Sequence, residues 1–450
     1  MSEELDEGQL VSSVEPERIR ERLVDLVRYP SFDGHEENVI QRIADYLSQI
    51  GAEVDVWHDD AASLATLPGY PGHEVSRATI PVVAARLRGS RPGPAVLLTG
   101  HVDVVPPGDL SQWSSDPFSG LVEGDRLYGR GSCDMKSGLV SALEVLEVFA
   151  SSGRDFPGQI VFVAVPAEED SGVGTLSAIE RGWRGDVAFL PEPSMVSDEL
   201  TVVSAHAGAM GVSIFVPGKS AHASMRLVGE SAFEHYLTIH EELRRDEREL
   251  NEREDDPLLK EIGLPYATSV GRIAGGTFIS AVMDGLLVEL RMGVAVSETV
   301  EEAELRIRAA VDRARDRNPW LRDNPPIVTV TSRGFGSART KRTHPLVTEL
   351  VKAHADVHGK TPRVRAAPFG CDMAGWVRRA GVPMVIYGPG DIEQAHAADE
   401  HVSLSACADV ARTLSVATHR LLCSERIEEI GEGGAHVVPV GGRPEGAPTV

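Results

Sequence analysis

Apolar positions along the 450-residue chain fall into two alternating patterns. Ile19, Leu23, Leu26 and Val27 recur at helical spacing and Pro16 suits a first turn, which predicts a helix over 16–28. Val39, Ile40, Ile43, Leu47 and Ile50 predict a second helix over 36–50, stopped at Gly51. Short apolar runs follow at 81–87, 95–99, 160–165, 187–190 and 384–387, each of strand length and bounded by Gly, Pro or polar residues. Helical patterns at 137–151 and 172–182 lie between them. Strands apolar on both faces, alternating with helices, predict an α/β domain built on a mostly parallel sheet.

The middle of the chain reads differently. Strand (210–216), helix (231–246), strand (268–274), strand (285–292), helix (299–315) and strand (326–331) make a β-α-β-β-α-β order, the ferredoxin-like arrangement. The α/β pattern resumes near 345, so this unit reads as an insertion. The expected organisation is a catalytic domain in two parts, 1–206 and 336–425, an inserted lid over 207–335, and a Gly/Pro-rich tail over 426–450 expected to be disordered. A chain of this length suits two domains rather than one.

Composition narrows the function. The net charge of −24 argues against nucleic acid and anionic membrane as partners. The first ten residues are acidic and lack the apolar stretch of a secretory signal, and no run is long enough to span a bilayer, so the expected location is the cytoplasm. Cys133, Cys371, Cys407 and Cys423 form no CxxC pair, which excludes zinc knuckles and thioredoxin-like chemistry. Pro217-Gly218-Lys219-Ser220 looks like the end of a P-loop, but Ser213 stands where the first glycine is required.

The candidate chemistry sits just after the predicted strands. His101 and Asp103 follow one, Glu168, Glu169 and Asp170 follow another, and Glu192 follows a third. Ligands of parallel α/β sheets gather beyond the carboxyl ends of strands, so these groups should converge. The glycines of Gly129-Arg130-Gly131 allow a tight loop that presents Asp134 to the same region, and His396 follows the break at Gly388-Pro389-Gly390. A single histidine after a strand is commonly a hydrogen-bonded core residue. Two histidines with several carboxylates form a donor set suited to Zn²⁺ or a similar ion. Cys133 and Cys371 have no evident histidine partner and read as packed small residues.

These residues resemble the M20 metallohydrolase family. The resemblance rests on His101-Val102-Asp103, Gly129-Arg130-Gly131 with Asp134-Met135-Lys136, Glu168-Glu169, Pro191-Glu192-Pro193, Gly218-Lys219-Ser220-Ala221-His222 and Gly388-Pro389-Gly390 with Ala395-His396, and covers roughly 16–423. It implies two divalent metal ions, zinc first, with cobalt or manganese also suited to the ligands. Asp134 would bridge them, His101 and Glu192 would complete one site, and Glu169 and His396 the other. Asp103 would hydrogen-bond the far nitrogen of His101, Glu168 would be the general base, and the Asp134–Met135 peptide would be cis. His222 would reach the active site of a partner protomer, which implies a homodimer.

The implied activity is hydrolysis of a linear amide of an N-acyl amino acid or N-acyl amine, closest to the deacetylase and desuccinylase branch through Glu168-Glu169-Asp170-Ser171-Gly172. A dipeptidase or carboxypeptidase on the same scaffold is the alternative, and a silent binding protein is disfavoured by the intact ligand set. The lid departs from the family pattern: Ser280 stands where Asn is usual, and Gly293 where Arg is usual. Arg291 lies two residues earlier on the same strand face, about 6–7 Å away. It is a candidate clamp for a substrate carboxylate, with a surface salt bridge as the equal alternative.

Overall fold

The computed structural model describes residues 6–73, 75–153 and 155–424; the expected disordered stretch 426–450 lies outside them. Among the described residues, ten strands form the main sheet. Its centre is parallel: Pro157–Val165, Arg91–His101, Val187–Val196 and Met384–Asp391 lie side by side in that order. The flanks are antiparallel, with Glu53–Asp60 and Thr79–Arg88 on one side and Val202–His206 on the other. The fold is thus α/β with a largely parallel sheet.

Period-two alternation divides the sheet between two cores. Val83, Ala85, Ile160, Phe162 and Ala164 face one, while Val82, Ala84, Val161, Val163 and Val165 face the other. Helix Ser137–Ser151 is buried along nearly its whole length between the sheet and the helices Pro16–Val27 and Leu404–Leu422. Its Gly138 lies so close to Pro191 that an added Cβ would stand 1.9 Å from the carbonyl oxygen. That close approach seats the helix against the strand carrying Glu192.

Strand Glu53–Asp60 has no counterpart in the hydrophobic pattern. It is an edge strand, paired only with Thr79–Arg88, so it needs no continuous apolar run. Strand Val187–Val196 runs six residues beyond its apolar segment and carries Glu192 within it.

Strands Gly208–Pro217, Thr268–Gly275, Gly285–Val294 and Ile327–Phe335 form a separate antiparallel sheet. Gly285–Val294 and Gly208–Pro217 are its central pair, as the ferredoxin-like order requires. Met210, Val212, Ile214 and Val216 pack on helices Ala232–Glu252 and Val300–Arg317, giving this unit its own core. A Thr299–Glu302 capping box starts the second helix. Among the described residues, no helix is long and apolar enough to cross a membrane.

Candidate metal centre

His101 closes strand Arg91–His101 and is fully buried. Its Nδ1–H donates to the main-chain oxygen of Asp103 at 2.9 Å, which leaves the Nε2 lone pair facing the site. Nε2 stands 3.1 Å from Asp134 and 3.4 Å from Glu192. His396 approaches from the opposite side, with Nε2 3.0 Å from Glu169 and 3.6 Å from Asp134. Asp134 therefore lies between the two histidines. Ligand atoms of His101, Asp134 and Glu169 all fall within 4.8 Å of one another.

The expected role of Asp103 is corrected in its atoms. Its carboxylate is 3.6 Å from His101 Nδ1, farther than its own carbonyl. The carboxylate instead accepts the N–H groups of Glu168 at 3.2 Å and Glu169 at 3.0 Å. Asp103 thus orients His101 through its main chain and holds the Glu168–Glu169 turn through its side chain. Asp372 faces Thr175 and Glu168. Its burial raises its pKa to about 6.

Burial pushes Glu168 and Glu192 well above the usual carboxylate range, opposed by His101 and reinforced by neighbouring carboxylates. Burial likewise raises Asp103 to about 7. Asp134 is raised by burial but held below its ordinary value by His101 and His396. Asp103, Asp134, Glu168, Glu169 and Glu192 thus crowd one pocket around two histidines. Like charges so confined are stable when cations neutralise them. A bare histidine nitrogen and converging carboxylate oxygens are also the donors that borderline divalent ions take. The residues fit a metal centre.

The loop before helix Ser137–Ser151 shows how Asp134 is presented. Gly131 adopts the left-handed conformation, at φ 80°, and the Asp134–Met135 peptide is cis. Buried Glu400 accepts the N–H groups of Gly131 at 3.1 Å, Cys133 at 2.9 Å and Asp134 at 3.1 Å. Arg130 pairs with Glu400 and also donates to the carbonyls of His396 and Ala397. The sequence reading overlooked Glu400; the available signal was an acid four residues after His396. Lys136 is buried and donates to the carbonyls of Leu26 and Tyr29, and burial lowers its pKa to about 7. Cys133 and Cys371 are buried with thiols pushed up by burial, which leaves them packed and protonated.

The lid residues stand apart from this cluster. His222 forms a β-bridge with Ala281, and Ala223 N–H donates to Ser280 O, so His222 and Ser280 share one edge of the lid. Within the chain the His222 ring meets Ser224. Around them Leu227 and Ile279 are each 93% exposed, with Met225, Val228 and Phe278 also open. The Arg291 side chain makes no ion pair or hydrogen bond among the described residues; it lines a cavity of about 310 Å³ with Met210, Phe335, Phe369 and Gly370. The surface salt bridge considered for it is absent among the described residues. Gly293 is closed off: a Cβ there would stand 2.5 Å from Tyr266 Cα.

Comparisons with known proteins fit this geometry. The model of peptidase family M20/M25/M40 matches residues 97–419, well over half of the chain. The chain is 27% identical over 385 residues to the N-formyl-4-amino-5-aminomethyl-2-methylpyrimidine deformylase of Bacillus subtilis, covering 82% of this chain and 85% of the relative. It is 33% identical over 208 residues to the succinyl-diaminopimelate desuccinylase of Methylobacterium nodulans, covering 44% of this chain and 48% of that one. In fold it is similar to the di-peptidase Dug1p of Saccharomyces cerevisiae, with a TM-score of 0.69 at 14% identity, over 93% of this chain and 99% of that one.

Proposed function

Because the chain belongs to peptidase family M20/M25/M40, we propose that it hydrolyses the linear amide of a small N-acyl amine, with Glu168 as general base. The chain is a metal-dependent hydrolase of amide bonds. The observation that carries the proposal is the meeting of His101, Asp134, Glu169, Glu192 and His396 beside a buried Glu168.

Two divalent ions, zinc first, supply a water of lowered pKa and polarise the carbonyl oxygen when bound. His101, Glu192 and Asp134 would hold one, and Asp134, Glu169 and His396 the other. Glu168 accepts the proton of the attacking water as its oxygen bonds to the carbonyl carbon. It then gives that proton to the leaving nitrogen as the C–N bond breaks. The products are a carboxylate and a free amine.

A short acyl group, formyl first, is supported by the likeness to the deformylase over most of both chains. The amine binds in the cavity of Arg291, Phe335 and Phe369, which offers two aromatic rings and a free guanidinium. The exposed apolar residues around Leu227 and Ile279 support a homodimer in which His222 and Ser280 of one chain serve the metal centre of the other. We place the enzyme in the cytoplasm, acting on small molecules rather than nucleic acid or membrane.

The test is amine release by the metal-reconstituted chain across N-formyl, N-acetyl and N-succinyl amines and a dipeptide panel. Turnover of N-acyl amines above dipeptides is expected. Preference for dipeptides would replace the reading with a peptidase on the same scaffold.

A further inference from the structure

Three successive carboxylates follow strand Pro157–Val165, and the structure turns each a different way. Glu168 is buried toward Glu192 and Asp372, Glu169 meets His396, and Asp170 points to Arg77. They sit on a tight turn in which Gly172 N–H returns to Ala167 O, with Ala167 in the left-handed region at φ 63°. A non-glycine residue there costs free energy and persists only where its surroundings impose it. The turn therefore depends on what grips it from outside.

Two grips are visible. Asp103 takes the N–H groups of Glu168 and Glu169, as described. The other comes from a segment far away in sequence. Arg77 donates to Asp170 at 2.7 Å and to Glu36 at 2.9 Å, and Val75 N–H donates to the same Asp170 oxygen at 2.9 Å. Glu36 in turn accepts Gly34 N–H at 3.2 Å. The side chains of Arg77, Glu36 and Asp170 are only 6%, 1% and 8% exposed, so this is a buried triad with one cation between two carboxylates. A fork of guanidinium N–H groups fixes direction as well as charge, which an ammonium cannot do. Without Arg77, Asp170 would keep only the Val75 N–H and the Ser171 hydroxyl and would be a third carboxylate with no cation beside Glu168 and Glu169.

We infer that Arg77, braced by Glu36, is a positioning residue that holds Asp170 away from the metal centre and thereby fixes the orientations of Glu168 and Glu169. This rests on the proposed roles of Glu168 and Glu169. Arg77 touches no reacting atom; its effect is transmitted through Asp170 and the turn.

The experiment compares Arg77→Met, Arg77→Lys, Asp170→Asn and the double variant Arg77→Met/Asp170→Asn, each as the full chain loaded with Co²⁺. It reads cobalt affinity, the visible Co²⁺ spectrum, and kcat and KM on the best substrate of the amine-release panel. Arg77→Met is expected to lose about 10–100-fold in cobalt affinity or kcat, as for other groups that orient ligands, with little change in KM. The cobalt spectrum should shift, and Arg77→Lys should recover only part of the loss. Because Arg77 acts through Asp170, the double variant should be no worse than the poorer single variant. Wild-type kcat, cobalt affinity and spectrum in Arg77→Met and Asp170→Asn, with only a lower melting temperature, would overturn the inference. If Arg77→Met does not fold, Asp170→Asn and Arg77→Lys decide on the same readouts. Glu168→Gln, run alongside, separates the two readings: full activity in it removes the base assignment, whatever the Arg77 variants do.

Discussion

Arg130 and Glu400, 270 residues apart in sequence, form a buried ion pair of 2.7 Å that joins the loop presenting Asp134 to the loop presenting His396. One carboxylate gathers three main-chain N–H groups and a guanidinium, so both loops share a single anchor. Glu400→Ala leaves a buried arginine and three N–H groups uncompensated. Breaking such a pair from one side is expected to cost about 3–5 kcal/mol of stability. Metal affinity should fall with it, because Asp134 and His396 lose their common support. Denaturant unfolding and metal titration check both, and wild-type values in each would detach Glu400 from the centre.

Glu168→Gln removes the proton carrier and leaves the proposed ligands in place. It should keep its metal content while kcat falls by about 10²–10⁴-fold, the usual worth of a positioned acid–base group. Metal analysis beside steady-state kinetics reads this, and a variant near the wild-type rate would hand the role to another group.

His222 and Ser280 share an exposed lid edge rather than lying in the metal cluster, so the dimer reading makes a mixing prediction. Glu168→Gln and His222→Ala chains, each inactive alone, should recover part of the activity when co-refolded, since one site of a mixed dimer is intact. Leu227→Asp with Ile279→Asp should give an inactive monomer by light scattering. A fully active monomer would end the trans role.

His206 lies buried at the end of strand Val202–His206, with Nε2 unpartnered, and burial holds its pKa down to about 4. In the unfolded chain an imidazole titrates near ~6.5. Between these values the unfolded state binds more protons, so stability rises with pH through this window and is lost as pH falls from about 6.5 toward 4, by on the order of 3 kcal/mol. Urea unfolding at pH 7 and pH 4.5 should show a smaller difference for His206→Asn than for wild type. An unchanged difference would mean His206 is not the responsible group.

Arg291→Ala should raise KM for substrates bearing a carboxylate or ring acceptor while leaving kcat nearly intact, the signature of uniform binding. An unchanged KM across the panel would take Arg291 out of the substrate site. Gly293→Ala should destabilise the lid, because Tyr266 fills the space, by about 1–3 kcal/mol as for other overpacked positions.

Much of this was legible in the sequence because parallel sheets send their ligands to strand ends. His101, Glu168 and Glu192 declare themselves by following apolar runs, and Asp134 by the glycines before it. The ferredoxin-like lid was legible from the change in element order. What stayed hidden acts between segments distant in sequence. Glu400, Arg130, Arg77 and Glu36 have no pattern of their own; they matter through N–H groups and ion pairs that only the fold assembles. The contact of Asp103 with His101 was implied by the family resemblance, but its atoms were not, since a carbonyl and a carboxylate two residues away are indistinguishable in sequence. The surroundings of Arg291 were the least legible, because Tyr266 closes off Gly293 and Phe335 and Phe369 line the space around Arg291 only once the chain is folded.

The most direct test of the central claim is a titration of the metal-stripped chain with Zn²⁺, following amine release from the best N-formyl substrate. Activity is predicted to be absent without metal, to rise with added ion and to saturate at two ions per chain, with His101→Ala and His396→Ala each reducing the bound equivalents. Amine release that is independent of metal, or that is complete at one ion and indifferent to either histidine, would contradict the account.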